Sequence, residues 1–147
     1  MLSIKDKSVQ PIVAVLTDEE MANNAVAAYS PIQNVVYVRQ ALLDYDKLPT
    51  IQKQLACPNS KYSTLLHEYI HWFDAQRYRT KHGDFNNADD YGRYIARLRR
   101  NCKKKLDKLG VNEYNISSMG RYAERSYEKD LYDEAYTEYR VVKILRK

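Results

Sequence analysis

The sequence predicts an α+β domain with short strands first and helices after them. Three observations lead there. Only 4 Gly and 4 Pro punctuate 147 residues, too few for an all-β sandwich, which needs a turn signal every 8–12 residues or so. Runs rich in β-branched residues occur only near the N-terminus, and apolar residues recur at helical spacing from Ser63 onward. The length fits one domain, spanning residues 1–147.

Taken in order, Val13 to Leu16 and Asn34 to Val38 read as strands, being short, β-branched and bounded by Pro or polar residues. Leu65, Leu66, Ile70 and Phe73 then set a helical period from Ser63 to about Arg79. Ser60, Ser63 and Thr64 stand before it as N-cap candidates, and Gly83 follows as the stop. A second helix over about 88–108 puts Tyr91, Tyr94, Ile95, Leu98, Cys102 and Leu106 on one stripe and closes at Gly110. A third, from about Glu128 to Leu145, repeats Leu131, Ala135, Val142 and Leu145 without a Gly or Pro break. Repeats and low-complexity tracts are absent.

No apolar run approaches the 18 or more residues that span a bilayer, and Pro11 to Leu16 is too short for the core of a signal peptide. The expectation is a cytoplasmic protein, or one domain of a larger protein, with no membrane partner. Cys57 and Cys102 are too few for a disulfide framework and read as reduced and structural. The 14 tyrosines are bulky core material whose hydroxyls need partners. The net charge of +5 has a local origin, since Arg93, Arg97, Arg99, Arg100, Lys103, Lys104, Lys105 and Lys108 share their stretch with Asp107 as its one acid. Arg93, Arg97, Arg100, Lys104 and Lys108 form a helical stripe that could neutralise phosphates. Without interleaved aromatics or a helix-turn-helix or finger signature, a solvated outer face is the reading the sequence favours.

The helix from Ser63 carries His67-Glu68-Tyr69-Ile70-His71, the pattern H-E-x-x-H (HExxH). Residues four apart lie one above the other with Cβ atoms about 5–6 Å apart, so both imidazoles can reach one Zn2+. Glu68 projects beside that position, where it can take a proton from water and hand it to a leaving amine. The motif points to a zinc-dependent hydrolase. Two of the chain's three histidines fall in it, which argues against chance.

Two histidines leave such a site one protein ligand short. His82 lies beyond the expected helix end and could reach the site only by a sharp reversal. Asp89-Asp90-Tyr91-Gly92 shares a Tyr-Gly with the aspzincin element but has Ala88 where the ligand would stand, and Asp74 and Arg77 occupy the positions where a metzincin needs Gly and His. Glu134 and Glu138, four apart among apolar positions, turn two carboxylates toward the interior, where they are costly unless paired or metal-bound.

His67-Glu68 with His71, Glu134 with Glu138, and Tyr127 together resemble the gluzincin-type zincin metallopeptidases of the anthrax lethal factor and pro-pro endopeptidase type. The resemblance covers about 34–80 and 117–145 and leaves the basic helix without a counterpart. It implies a small zincin-like domain acting on a peptide or protein substrate, with His67, His71 and Glu134 as Zn2+ ligands and Glu68 as general base. Glu138 would orient a ligand histidine, and Tyr127 would donate to the developing oxyanion. Tyr127 can do so only if the helix breaks near Lys129-Asp130, with Asp130 as N-cap; Tyr122 and Tyr136 are the alternatives. Asn34 to Val38 would be the edge strand that pairs with extended substrate. STLLHEYIHWFDAQRY also resembles metallopeptidase domains attached to phage minor head proteins and toxin-like polypeptides. Asp74, one turn past His71, would then support the site or sit on the surface. The competing functions are a zinc-binding structural domain of a phage-head or toxin-type protein and a basic nucleic-acid-binding protein.

Overall fold

The computed structural model describes residues 10–17, 19–20, 26–40 and 63–146. Cys57 and Ser60 lie outside them. Among the described residues three strands form one sheet: β1 (Ile12–Leu16), β2 (Ala27–Ser30) and β3 (Val35–Arg39), in the order β1-β3-β2. Among the described residues four helices follow: α1 (Ser63–His82), α2 (Ala88–Lys108), α3 (Arg121–Glu128) and α4 (Tyr132–Leu145), with a 3-10 turn at Ile116–Met119.

β3 is the centre of the sheet and not its edge, which corrects the expectation for Asn34 to Val38. It runs parallel to β1, Ile12 opposite Val35, and antiparallel to β2, Tyr29 opposite Val36. Burial follows the period of two: Val36 and Val38 face inward against Trp72 and Phe73 of α1, while Val35, Tyr37 and Arg39 are half-buried. β2 was not legible because Ala-Ala-Tyr-Ser contains a single strongly β-favouring residue. Its hairpin to β3 turns through Asn34, whose φ of 59° is a left-handed conformation that Asn tolerates. Arg79 of α1 fastens this hairpin by donating to Tyr29 Oη (2.8 Å), Asn34 Oδ1 (2.6 Å) and the Pro31 carbonyl.

α1 continues three residues past Arg79 and stops at Gly83, which takes a φ of 83°. α2 starts on Asn87, whose side chain accepts from the Asp90 N–H. It ends in a Schellman motif: Val111 N–H reaches the Leu106 carbonyl, Gly110 N–H reaches that of Asp107, and Leu106 and Val111 pack together. Cys102 is buried on the inner stripe, and burial pushes its thiol up to about 12, so it is an unreactive core residue.

The helix expected from Glu128 to Leu145 starts four residues later, at Tyr132, and is preceded by a short helix, α3, that the apolar pattern did not mark. Leu131 N–H bonds the Ser126 carbonyl and Asp130 N–H that of Tyr127, a second Schellman motif with Asp130 at φ 60° in the place glycine usually takes. Tyr132 donates to Asp130 Oδ1 (2.8 Å) and holds the residue there. Asp130 therefore ends α3 and does not cap α4, whose N-cap is Leu131. No helix among the described residues is long and apolar enough to cross a membrane.

Leu106 is fully buried where α2 meets the residues that lead into α3 and α4. Leu106→Ala is expected to lower stability by about 2–5 kcal/mol, read as a shift in the urea midpoint with an unchanged slope.

Candidate metal centre

α1 and α4 face each other, and three side chains meet between them. His67 and His71 stand one turn apart on α1, their rings edge to face with centroids 4.7 Å apart. From α4, Glu134 Oε2 lies 2.7 Å from His67 Nε2 and 3.1 Å from His71 Nε2, and the two Nε2 atoms are 3.0 Å apart. His67 is buried, and the Glu134 side chain is 24% exposed.

This triangle has a donor chemistry that protons satisfy poorly, because one proton can bridge only one edge of it at a time. A cation at its centre would engage all three lone pairs together. Two imidazoles and a carboxylate around Zn2+, with bonds near 2.0–2.2 Å, place their donor atoms about 3.3–3.5 Å apart. The edges at 3.0 and 3.1 Å need to open by about a few tenths of an ångström, and the 2.7 Å edge between His67 and Glu134 by roughly twice that. Burial lowers the proton affinity of His67, but its hydrogen bond with Glu134 and the nearby carboxyl of Glu138 outweigh that and hold the imidazole well above its ordinary pKa. Burial likewise opposes ionised Glu134, and the two histidines nevertheless draw it well below the carboxylate range. Glu134 and the two histidines thus each favour the charged form of the other.

Glu138, one turn after Glu134 and fully buried, brings Oε1 to 3.4 Å from His67 Nδ1. Neither that nitrogen nor either Glu138 oxygen has a well-aligned hydrogen-bond partner among the described residues. If His67 Nε2 gives its lone pair to a cation, the ring proton sits on Nδ1, facing Glu138. The carboxylate then fixes the tautomer and the ring plane.

Tyr122, in the first turn of α3, donates to Glu134 Oε2 (3.1 Å) and sets its ring edge-on to His67 at 5.6 Å. Burial, reinforced by Glu134, raises its pKa, so the phenol stays protonated. Tyr127 is elsewhere, which corrects the sequence-based choice. Its hydroxyl accepts from Lys103 Nζ (3.3 Å) and its ring packs against Tyr132 at 5.3 Å, in the cluster around Leu106. Five residues along a helix turn the direction by about 140°, so Tyr122 and Tyr127 cannot share a face of α3. The break between α3 and α4 is present, but it brings Tyr122 to the site. The signal in the sequence was Gly120, which starts α3 at Arg121 and so fixes Tyr122 in its first turn.

The other candidates are also accounted for. His82 is exposed with its ring tilted against Tyr78, and eleven residues of continuous α1 put it about 16 Å along the axis from His71. Asp89 is exposed in the first turn of α2. Tyr136 packs under the Arg140 guanidinium, 4.7 Å from its ring centroid. Asp74 forms a bidentate pair with Arg140 of α4 (2.9 and 2.5 Å).

Glu68 borders a cavity of ≈ 260 Å3 that opens beside His71, Tyr122 and Glu134. β2 lines it through Ala27, Ala28 and Tyr29, and α2 through Tyr91, Tyr94, Ile95 and Leu98. Among the described residues β2, not β3, is the sheet edge beside this cavity. No family model, curated protein or solved structure matches the chain.

The Asp74–Arg140 pair ties together the two helices that carry the cluster, and its side chains are only 12% and 18% exposed. Asp74→Ala leaves a buried guanidinium without its carboxylate and is expected to cost about 3–5 kcal/mol, measured by denaturant unfolding. In the double variant with Arg140→Ala the loss should be smaller than the sum of the two single losses.

Proposed function

We propose that the protein is a zinc-dependent metalloendopeptidase. The observation that carries this reading is the convergence of His67, His71 and Glu134 on one point, with Glu68 beside it on the wall of an open cavity. In this reading His67 Nε2, His71 Nε2 and Glu134 Oε2 hold Zn2+. When bound, zinc supplies Lewis acidity and lowers the pKa of a coordinated water from 15.7 to about 7.

The chain's own groups do the rest. Glu68 takes the proton of the attacking water and passes it to the amine that leaves. Glu138 holds the His67 ring through Nδ1, so that the lone pair on Nε2 stays directed at the metal position. The single hydroxyl proton of Tyr122, held by Glu134 Oε2 before substrate binds, turns to the carbonyl oxygen as charge grows there, so its contribution falls on the transition state. An extended peptide lies along β2, pairing with its outer edge, while its side chains enter the cavity beside Glu68. This role moves from 34–38 to 27–30.

The purified protein is expected to bind about one Zn2+ per chain, measured by elemental analysis after dialysis. His67→Ala, His71→Ala and Glu134→Ala should each lose it, while Glu138→Ala should weaken it by about 10–100-fold. Full occupancy in either histidine variant would contradict the assignment.

Glu68→Gln should retain zinc and the fold while losing peptide hydrolysis, because the amide cannot accept the water's proton. Retention of zinc by the wild type with no hydrolysis of any peptide would leave a structural zinc-binding domain, of the phage-head or toxin type, as the surviving reading.

Tyr122→Phe should keep zinc and lower turnover by roughly 100-fold or more, by comparison with removal of one oxyanion donor. Tyr127→Phe should cleave at the parent rate. The opposite ranking in a turnover assay would return the donor role to Tyr127.

A further inference from the structure

The basic helix plays no part in the proposed reaction, and its outer face has a use of its own. Tyr94, Ile95, Leu98, Cys102 and Leu106 turn α2 toward the cavity wall and the core. On the opposite side Arg93, Arg97, Arg100, Lys104 and Lys108 are all exposed. At 100° per residue these five fall within a band about 80° wide, and they extend over about 22 Å of the helix axis.

The acids near this stripe are mostly engaged. Asp133 accepts from Arg99 (2.9 Å), Asp107 from Lys103 (2.6 Å) and Asp90 from Arg93 (2.5 Å). Arg97, Arg100, Lys104 and Lys108 have no partner among the described residues. The negative end of the helix dipole favours cations in the last turn, which accounts for Lys105 and Lys108. It gives no reason for Arg97 and Arg100 in the middle of the helix.

We propose that this face binds a nucleic-acid duplex through its phosphates. A straight row of cations complements a stiff, evenly charged backbone. The exposed positions of α2 include no aromatic side chain on which unpaired bases could stack, which disfavours a single strand. They also include no bulky apolar side chain to enter a lipid surface, which disfavours a membrane. Recognition is by charge alone and is therefore independent of sequence. The proposal does not depend on zinc or on hydrolysis, because the stripe faces away from the cavity.

The test is the salt dependence of binding of the full chain to a fluorescent DNA duplex of about 20 base pairs, between roughly 50 and 200 mM salt. Phosphate contacts from Arg97, Arg100, Lys104 and Lys108 predict a slope of log Kobs against log salt near about −3.6. In Arg97→Gln/Arg100→Gln the slope should become shallower by about 1.8, with circular dichroism unchanged because both side chains are exposed. Arg77→Gln/Lys81→Gln on α1 removes the same charge and should leave the slope as it was. The same strand unpaired, and vesicles containing phosphatidylserine, should bind more weakly than the duplex. The proposal is overturned by a wild-type slope shallower than about −1, by an α2 variant that binds like the parent, or by an equal loss in the α1 variant. Tighter binding of the single strand or the vesicles also overturns it.

Discussion

The packing of α1 against α4 around four buried or half-buried ionisable groups is the constraint that organises this molecule. His67, His71, Glu134 and Glu138 occupy the interface where a conventional core would put Leu or Val. Desolvating such groups costs several kcal/mol per charge unless they satisfy one another. Glu134 meets both imidazoles and Glu138 faces the remaining nitrogen of His67, so the interface offsets much of that cost internally. A fully apolar interface would hold the helices together as well; the sequence instead keeps a costly polar cluster at the mouth of a cavity.

Holding such a cluster in register needs rigid supports outside it. The Asp74–Arg140 pair locks α1 to α4 one turn beyond the histidines, and Arg99 grips Asp133 next to Glu134 from α2. The Schellman turn at Asp130 reverses the chain so that α3 lies along α4 and offers Tyr122 to the same carboxylate. On the sheet side, Arg79 clamps the β2–β3 hairpin to α1, so the edge strand bordering the cavity is fixed relative to the helix that carries the histidines. Each support is an ion pair, a turn or a set of guanidinium hydrogen bonds, and each acts on an element that contributes a wall or a donor.

What was legible in the sequence followed from short-range rules. The i,i+4 spacing of His67 and His71, and of Glu134 and Glu138, fixes which face of a helix each pair occupies, and the meeting of those faces follows from the cost of burying carboxylates alone. The helical stripes of α1 and α2 were equally plain. Three features escaped for identifiable reasons. β2 is an Ala-rich strand that forms because β3 pairs with it, not through its own propensity. α3 escaped because it has only 8 residues and ends on Asp130 in a left-handed conformation normally marked by glycine, so no Gly or Pro set its end apart from the helix that follows. Tyr127 was implied by the family resemblance, but the direction of a side chain on a short helix depends on where that helix starts, and here that start selects Tyr122.

The central claim is that His67, His71 and Glu134 form a single zinc site, and X-ray absorption spectroscopy of the zinc-loaded protein tests it most directly. The account predicts a first shell of nitrogen and oxygen only, at about 2.0–2.2 Å, with the outer-shell scattering of two imidazoles. A sulfur scatterer at about 2.3 Å, or a spectrum with the scattering of one imidazole, would contradict it.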